Sequence, residues 1–293
     1  TNSGTEAVEG ALKTARKYTK RSKFIAFKGS FHGDTFGSMS VGGNPLYRDP
    51  FEPLLAADLL PFNDLAALTK IGTDVAAVIV EPIQGEGGIR IPDDDFLPAL
   101  RRRCSEVGAL LLFDEVITGF GRTGSFFALE YWNATPDILI MAKALGGGMP
   151  LGAFIGTPEV MATLAHDPAL AHVTTFGGHP VSCAAGLASL DVLLSEGIVE
   201  QAKKTGREFL TLLNKMFRNR HCLDVRGRGL LIGMEFDSPE VSQRFVHDCF
   251  SEKLILGWTL HEDRVVRLAP PLNISDEEIS RAVSIMKNVL DAL

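Results

Sequence analysis

Two apolar runs that each stop at a charged residue constrain this chain more than any other feature. Residues 109–113 read Ala-Leu-Leu-Leu-Phe and stop at Asp114, and residues 138–142 read Ile-Leu-Ile-Met-Ala and stop at Lys143. Short, wholly apolar runs of this kind suit strands buried on both faces of a parallel sheet. In an open sheet of that type ligands bind at the carboxyl ends of the strands. A carboxylate and an amine therefore reach one edge from two strands. Two more strand ends point the same way. The run Ala76–Val80 stops at Glu81-Pro82-Ile83-Gln84-Gly85-Glu86-Gly87-Gly88, and a strand over Lys23–Lys28 leads to Phe31-His32-Gly33.

The chain has 293 residues, 45% of them hydrophobic, enough for a large core and two domains. Its net charge of −7 with scattered basic residues excludes a nucleic-acid footprint, and its apolar runs fall well short of a membrane span. Cys104, Cys183, Cys222 and Cys249 show no CxxC spacing; they read as reduced thiols, and a cytoplasmic location is expected. No cluster suggests a metal site. The chain opens on Asn2-Ser3-Gly4-Thr5-Glu6, a helix start, so an N-terminal segment is expected to lie outside it. Ser3 can cap that helix, with Glu6 as its capping-box partner. Such an end can also bind phosphate through free backbone N–H groups, although a plain cap explains the same residues.

Helical periodicity is expected over Glu6–Tyr18, Phe96–Val107, 181–194, Glu200–Phe217, 239–253 and from Ser275 onward. Residues 45–64 read as loop. The texture changes near Leu194, which divides the chain into a large domain, 1–194, and a smaller α+β domain, 195–293. Residues 119–124 spell GxGxxG, the dinucleotide-binding pattern. The real fingerprint follows its strand directly and opens a helix. Here Asp114–Thr118 intervenes and a loop follows, so that reading is rejected.

A free lysine is only about 0.04% neutral at pH 7. It becomes useful as a covalent group when its amine is already engaged as a Schiff base. Pyridoxal 5′-phosphate meets that need. Its pyridine nitrogen calls for a buried carboxylate, which Asp114 offers. Its phosphate calls for a helix N-terminus, which Gly4 and Thr5 offer, and its ring for an apolar sandwich, which Phe31 and Val116 can form.

These residues amount to a resemblance. The runs Asn-Ser-Gly-Thr-Glu-Ala at 2–7, Phe-His-Gly at 31–33, Glu-Pro-Ile-Gln-Gly-Glu-Gly-Gly at 81–88, Asp-Glu-Val-Ile-Thr-Gly-Phe-Gly-Arg-Thr-Gly at 114–124, Lys143 with its glycines, Thr-Phe-Gly-Gly-His-Pro at 175–180 and Arg-Leu-Ala-Pro-Pro-Leu at 267–272 resemble the class III pyridoxal-phosphate-dependent aminotransferases, in family order. The group includes the ornithine, acetylornithine, 4-aminobutyrate and diaminopelargonate enzymes.

The resemblance implies an α/β fold of fold type I: a mixed, mostly parallel sheet flanked by helices, with a smaller C-terminal domain. It implies transfer of an amino group, an ω-amino group in particular, from an amine or amino acid to a 2-oxo acid such as 2-oxoglutarate or pyruvate. A racemase or aminomutase on the same scaffold is the alternative. By resemblance, Lys143 carries the cofactor and moves protons, Asp114 holds the pyridine nitrogen and Glu81 supports it. Ser3, Gly4, Thr5, Phe31, His32 and Val116 complete the cofactor site. Thr175 would reach the phosphate of a neighbouring subunit, which makes the unit a homodimer. Arg267 would grip a substrate carboxylate, with Glu86 pairing to it when none is bound. Ile117 stands where ornithine-type members carry Gln, and the resemblance leaves out the family's N-terminal segment.

Overall fold

The computed structural model describes residues 1–217 and 221–293. The chain divides into two compact units. The first holds Thr1–Ile83, Pro92–Gly119 and Ala128–Val192; the second holds Gln84–Ile91, Phe120–Phe127 and Leu193–Leu293.

The first unit is a six-stranded sheet of β1 (Lys23–Phe27), β2 (Ala57–Leu60), β3 (Val75–Val80), β4 (Leu110–Asp114), β5 (Ile138–Met141) and β6 (Ala153–Gly156). The strand order is β2-β1-β3-β4-β5-β6. The first five run parallel and β6 is antiparallel to β5. Every residue of β3 and β4 is buried, as expected of central strands covered on both faces. Alternation along β1 shows both covers. Phe24 and Ala26 join the cluster formed by Ala7, Val8, Ala11 and Ala15 of helix α1 (Gly4–Thr19). Phe27, on the opposite parity, packs edge to face with Phe62 and Phe96. Short helices α2 (Phe36–Ser40) and α3 (Pro45–Arg48) precede β2, and α4 (Phe96–Val107) carries Phe96. Helices α5 (Pro158–Ala162) and α6 (Pro180–Ser195) follow β6.

The second unit is an antiparallel sheet in the order β7-β8-β10-β9, with β7 (Cys222–Arg228), β8 (Leu231–Phe236), β9 (Gly257–Trp258) and β10 (Val265–Leu268). Helices α7 (Ile198–Phe217), α8 (Pro239–Ser251) and α9 (Asp276–Asp291) cover it. Phe209, Leu213, Ile232, Met234, Phe236, Phe245, Val283 and Met286 form its core. Ser275 and Glu278 close a full capping box at the start of α9.

Three departures from the sequence reading have physical causes. Residues 45–64 are not all loop: β2 lies within them, an edge strand whose half-exposed Ala-Asp-Leu-Leu carries no apolar run. At α1 Ser3 caps Glu6 N as expected, but the Glu6 carboxylate accepts from Asn2 N and Asn2 Nδ2 at 2.6 and 2.9 Å, so the reciprocal bond falls one residue early. Residues 84–91 and 120–127, read as part of the large domain, cluster with the C-terminal unit instead.

The last departure explains the GxGxxG. No helix follows it; the segment turns until a short 3-10 turn at Ala128–Tyr131. Its glycines serve close packing. A Cβ on Gly124 would meet Lys203 Cα at 2.9 Å, one on Gly229 would meet Thr123 C at 2.3 Å, and one on Gly206 would meet Gly229 C at 2.2 Å. Among the described residues no single helix is long and apolar enough to cross a membrane. Because the neighbour at Gly206 is backbone, Gly206→Ala should lower stability by roughly 1–3 kcal/mol, read as a lower urea midpoint with unchanged slope.

Candidate active site

Parallel pairing sets the site. Val80 lies opposite Phe113, so Glu81 and Asp114 leave neighbouring strands at one level. Asp114 lies opposite Ile140, and Lys143 follows two residues beyond the end of that next strand. Contacts then join the separate motifs. Glu81 Oε1 accepts from Phe31 N at 3.0 Å. His32 Nδ1 and Asp114 Oδ2 are 2.7 Å apart, with both side chains almost wholly buried. Asp114 Oδ1 accepts from Val116 N at 3.0 Å. A Cβ on Gly4 would meet Val116 Cγ1 at 3.1 Å and Ala142 Cβ at 3.6 Å, so the start of α1 lies against the ends of β4 and β5.

Lys143 is exposed, and its amine makes no hydrogen bond or ion pair with the described residues. Its φ of 45° lies in the left-handed region, which costs a non-glycine residue on the order of 1–3 kcal/mol. Strain of this kind persists where surrounding structure fixes the backbone. Ala142, the residue before it, is buried, and its carbonyl accepts from Leu145 N at 3.0 Å.

The residues present fit a pyridoxal phosphate group. Asp114 is 4% exposed, so its charge needs a cationic or hydrogen-bonding partner. Among the described residues the buried Nε2 of His32 has no hydrogen-bond partner, and the ring bonds through Nδ1 to Asp114. Gly4 N and Thr5 N find no acceptor among the described residues at the start of α1. The Thr5 hydroxyl is already engaged with Thr35 and Ser38 at 2.8 and 2.7 Å, so Thr5 offers backbone rather than side chain. Ser3 Oγ is taken by the cap. Thr175 is exposed on the turn before α6. Its neighbour Thr174 accepts from Asn2 Nδ2 at 2.7 Å and fastens that turn beside the start of α1.

Glu86 and Arg267 belong to the second unit. Arg267 Nη1 donates to Glu86 Oε1 at 2.5 Å, a pairing that the sequence reading took from the resemblance. The other Glu86 oxygen accepts from Leu260 N at 2.8 Å.

Sequence reasoning missed Glu115. It is fully buried and accepts from Ala128 N and Leu129 N, both at 2.7 Å, and from the Thr118 hydroxyl at 2.8 Å. It closes the loop that departs from the end of β4, through partners more than ten residues away, and no local pattern signals that. Burial pushes its carboxyl from 4.5 up to about 7, against the pull of these three bonds.

The chain overlays at TM-score 0.92 and 32% identity on an ornithine aminotransferase from Toxoplasma gondii, covering 100% of this chain and 72% of that one. It overlays at TM-score 0.90 and 30% identity on an amine transaminase from an uncultivated Pseudomonas species in its PLP-bound form, covering 100% and 76%. The fold is therefore that of the fold type I pyridoxal-phosphate transaminases. Residues 1–290 match the family model described as aminotransferase class-III. A putrescine aminotransferase from Pectobacterium atrosepticum is 44% identical, aligned over 100% of this chain and 65% of that protein. The chain belongs to the class III aminotransferase family, and it spans 65% of the length of that curated relative.

Glu115 yields a pH prediction. Its folded value lies above its ordinary one, so its stabilising contribution is full below pH 4.5 and is lost as pH rises through about 7. Glu115→Gln should remove that part of the pH dependence. Urea midpoints at pH 5 and pH 8 should differ less in the variant than in the parent, and equal differences would refute the assignment.

Proposed function

We propose that this chain is the core of a pyridoxal-phosphate-dependent transaminase that moves an amino group, an ω-amino group in particular, from an amine or amino acid to a 2-oxo acid. The observation that carries the reading is the juxtaposition, at the ends of adjacent parallel strands, of buried Asp114, bonded to His32, and Lys143, unpaired among the described residues. Membership of the class III aminotransferases and likeness to proteins named for putrescine, ornithine and amine transamination support it. The name of the 44% identical relative makes a short aliphatic diamine the first donor to test.

Each residue has a task in this reading. Bound pyridoxal phosphate supplies an electron-withdrawing ring that stabilises negative charge on the carbon bearing the transferred amine. Asp114 holds the ring nitrogen protonated, and His32, donating from Nδ1, keeps the Asp114 carboxylate in place. Phe31 and Val116 confine the ring, with Glu81 fixing the Phe31 backbone. Backbone N–H groups of Gly4 and Thr5, at the positive end of α1, hold the phosphate. Lys143 would anchor the group, and its Nζ, once free, would take the proton from the carbon that bears the transferred amine.

Arg267 binds the carboxylate of the 2-oxo acid, and Glu86 neutralises it when the substrate end is uncharged or cationic. The working unit in this proposal is a cytoplasmic homodimer in which Thr175 serves the partner's phosphate. The exposed apolar side chains of Phe176, Val181 and Leu187 around that turn and α6 support a subunit contact there.

Lys143→Ala should abolish turnover of any donor–acceptor pair, and borohydride should no longer fix added cofactor to the chain. Cofactor still fixed in the variant would remove Lys143 from its role. Arg267→Lys keeps the charge but loses the paired donors. It should raise KM for 2-oxoglutarate roughly tenfold, about 1.4 kcal/mol, with a smaller effect on a diamine. Racemisation of a single amino acid without any 2-oxo acid would favour the racemase reading instead.

A further inference from the structure

One row of the C-terminal sheet carries a second arginine with no part in the chemistry above. Gly233 of β8 pairs with Arg226 of β7 on one side and with Arg267 of β10 on the other. Directly opposed residues in antiparallel strands present their side chains on one face. The two arginines therefore flank a glycine, and the hairpin bearing Glu86 is seated on that row. Gln84 and Arg90 close the hairpin through paired backbone bonds of 3.0 and 3.1 Å. A Cβ on Gly233 would meet Ile89 Cβ at 3.0 Å, so the missing side chain makes room for the hairpin.

Arg226 grips the far side of that hairpin. Its Nε donates to Gly88 O at 3.0 Å and to Ile89 O at 3.1 Å, and its Nη2 donates to Gly88 O at 2.6 Å. Its Nη1 is held by Asp224 at 3.0 Å and Glu235 at 2.7 Å, which fixes the plane of the guanidinium. The grip falls where the backbone needs it. Ile89 is a buried β-branched residue at φ 51°, a conformation strongly disfavoured for its type. Three residues before Ile89 stands Glu86, bound to Arg267 and to Leu260 N, with its own carbonyl accepting from His261 N at 3.0 Å.

We propose that Arg226 and Gly233 are positioning residues for specificity: they seat the 84–91 hairpin so that Glu86 stays on Arg267, and thereby set the balance between amine and carboxylate substrates. The inference rests on the reading of Glu86 and Arg267 as the substrate's charge selector. Arg226 touches no substrate in this scheme. Its effect passes through two main-chain carbonyls, and a lysine, a single point of charge, cannot hold both while also bonding to two carboxylates.

The test uses the holoenzyme of the full-length protein. Calorimetry gives the Kd of glutarate, a dicarboxylate with no keto group to react, and steady-state kinetics gives KM for a diamine donor. Glu86→Gln frees Arg267 and should tighten glutarate and raise the diamine KM, each by about threefold to tenfold, the range expected for loss of one charged partner. Arg226→Lys should move both constants in the same opposed directions. The double variant should go no further than Glu86→Gln alone, because both changes act on one contact.

Gly233→Ala, which pushes on Ile89, should reproduce the shift and stands in if Arg226→Lys does not fold. A merely structural defect would weaken glutarate and diamine together, and that result overturns the proposal. So does an unmoved ratio in Arg226→Lys and Gly233→Ala while Glu86→Gln shifts it. An unmoved ratio in Glu86→Gln itself removes the selector reading on which the proposal rests.

Discussion

A carboxylate taken out of water must be given a partner, and the first unit is arranged around that requirement. Asp114 ends a strand buried along its whole length, at 4% exposure. Its two oxygens take His32 Nδ1 and Val116 N. That pairing pulls the loop after β1 and the loop after β4 together at one sheet edge. The Phe31 backbone, one residue before His32, is held by Glu81 from β3. Three strand ends are thus tied around one buried charge. A buried carboxylate with its hydrogen-bond partners does little for net stability, since desolvation offsets their attraction. It fixes geometry, and geometry is what a site for a planar, charged cofactor needs.

In the proposed scheme each unit's architecture suits its task. Parallel strands bring chemically different residues to one edge, which suits the cofactor. An antiparallel row sets side chains shoulder to shoulder on one face, which suits a charge selector built from Arg226, Gly233 and Arg267. The hairpin 84–91 and the loop 120–127 leave strands β3 and β4 of the first unit yet complete the second. Arg122, in that loop, donates to Leu230 O at 3.1 Å and to Pro270 O at 2.6 Å, and the segment after Arg267 is thereby pinned.

Much of this was legible in the residues. The apolar runs ending at Asp114 and Lys143 located β4, β5 and the edge they share, because burial on both faces leaves a continuous signature. The long helices α1, α4, α6, α7, α8 and α9 were legible from periodicity and caps; the short α2, α3 and α5 were not. Strand β2 was not, since a half-exposed edge strand has no such signature. The membership of 84–91 and 120–127 in the second unit was not, because it depends on contacts with residues far along the chain, such as Lys203, Arg226 and Gly229. Glu115 and Arg226 were hidden for a related reason. Their distant partners are main-chain groups, N–H for Glu115 and carbonyl for Arg226, and main-chain groups look the same in every residue. The GxGxxG was legible as glycine-rich and illegible as to cause: its glycines answer to Lys203 and Gly229 rather than to a phosphate.

The discontinuity of the second unit bears on how the chain is made. During synthesis the hairpin at 84–91 emerges long before Arg226 and Arg267, and the loop at 120–127 long before Gly229 and Pro270. Ile89, buried in the finished protein and held at positive φ, has no grip until β7 and β8 exist. The first unit's strands can pair as they appear; the proposed selector can close only after β7, β8 and β10 have been made. A nascent chain of this kind acquires the residues of its chemistry early and its discrimination last.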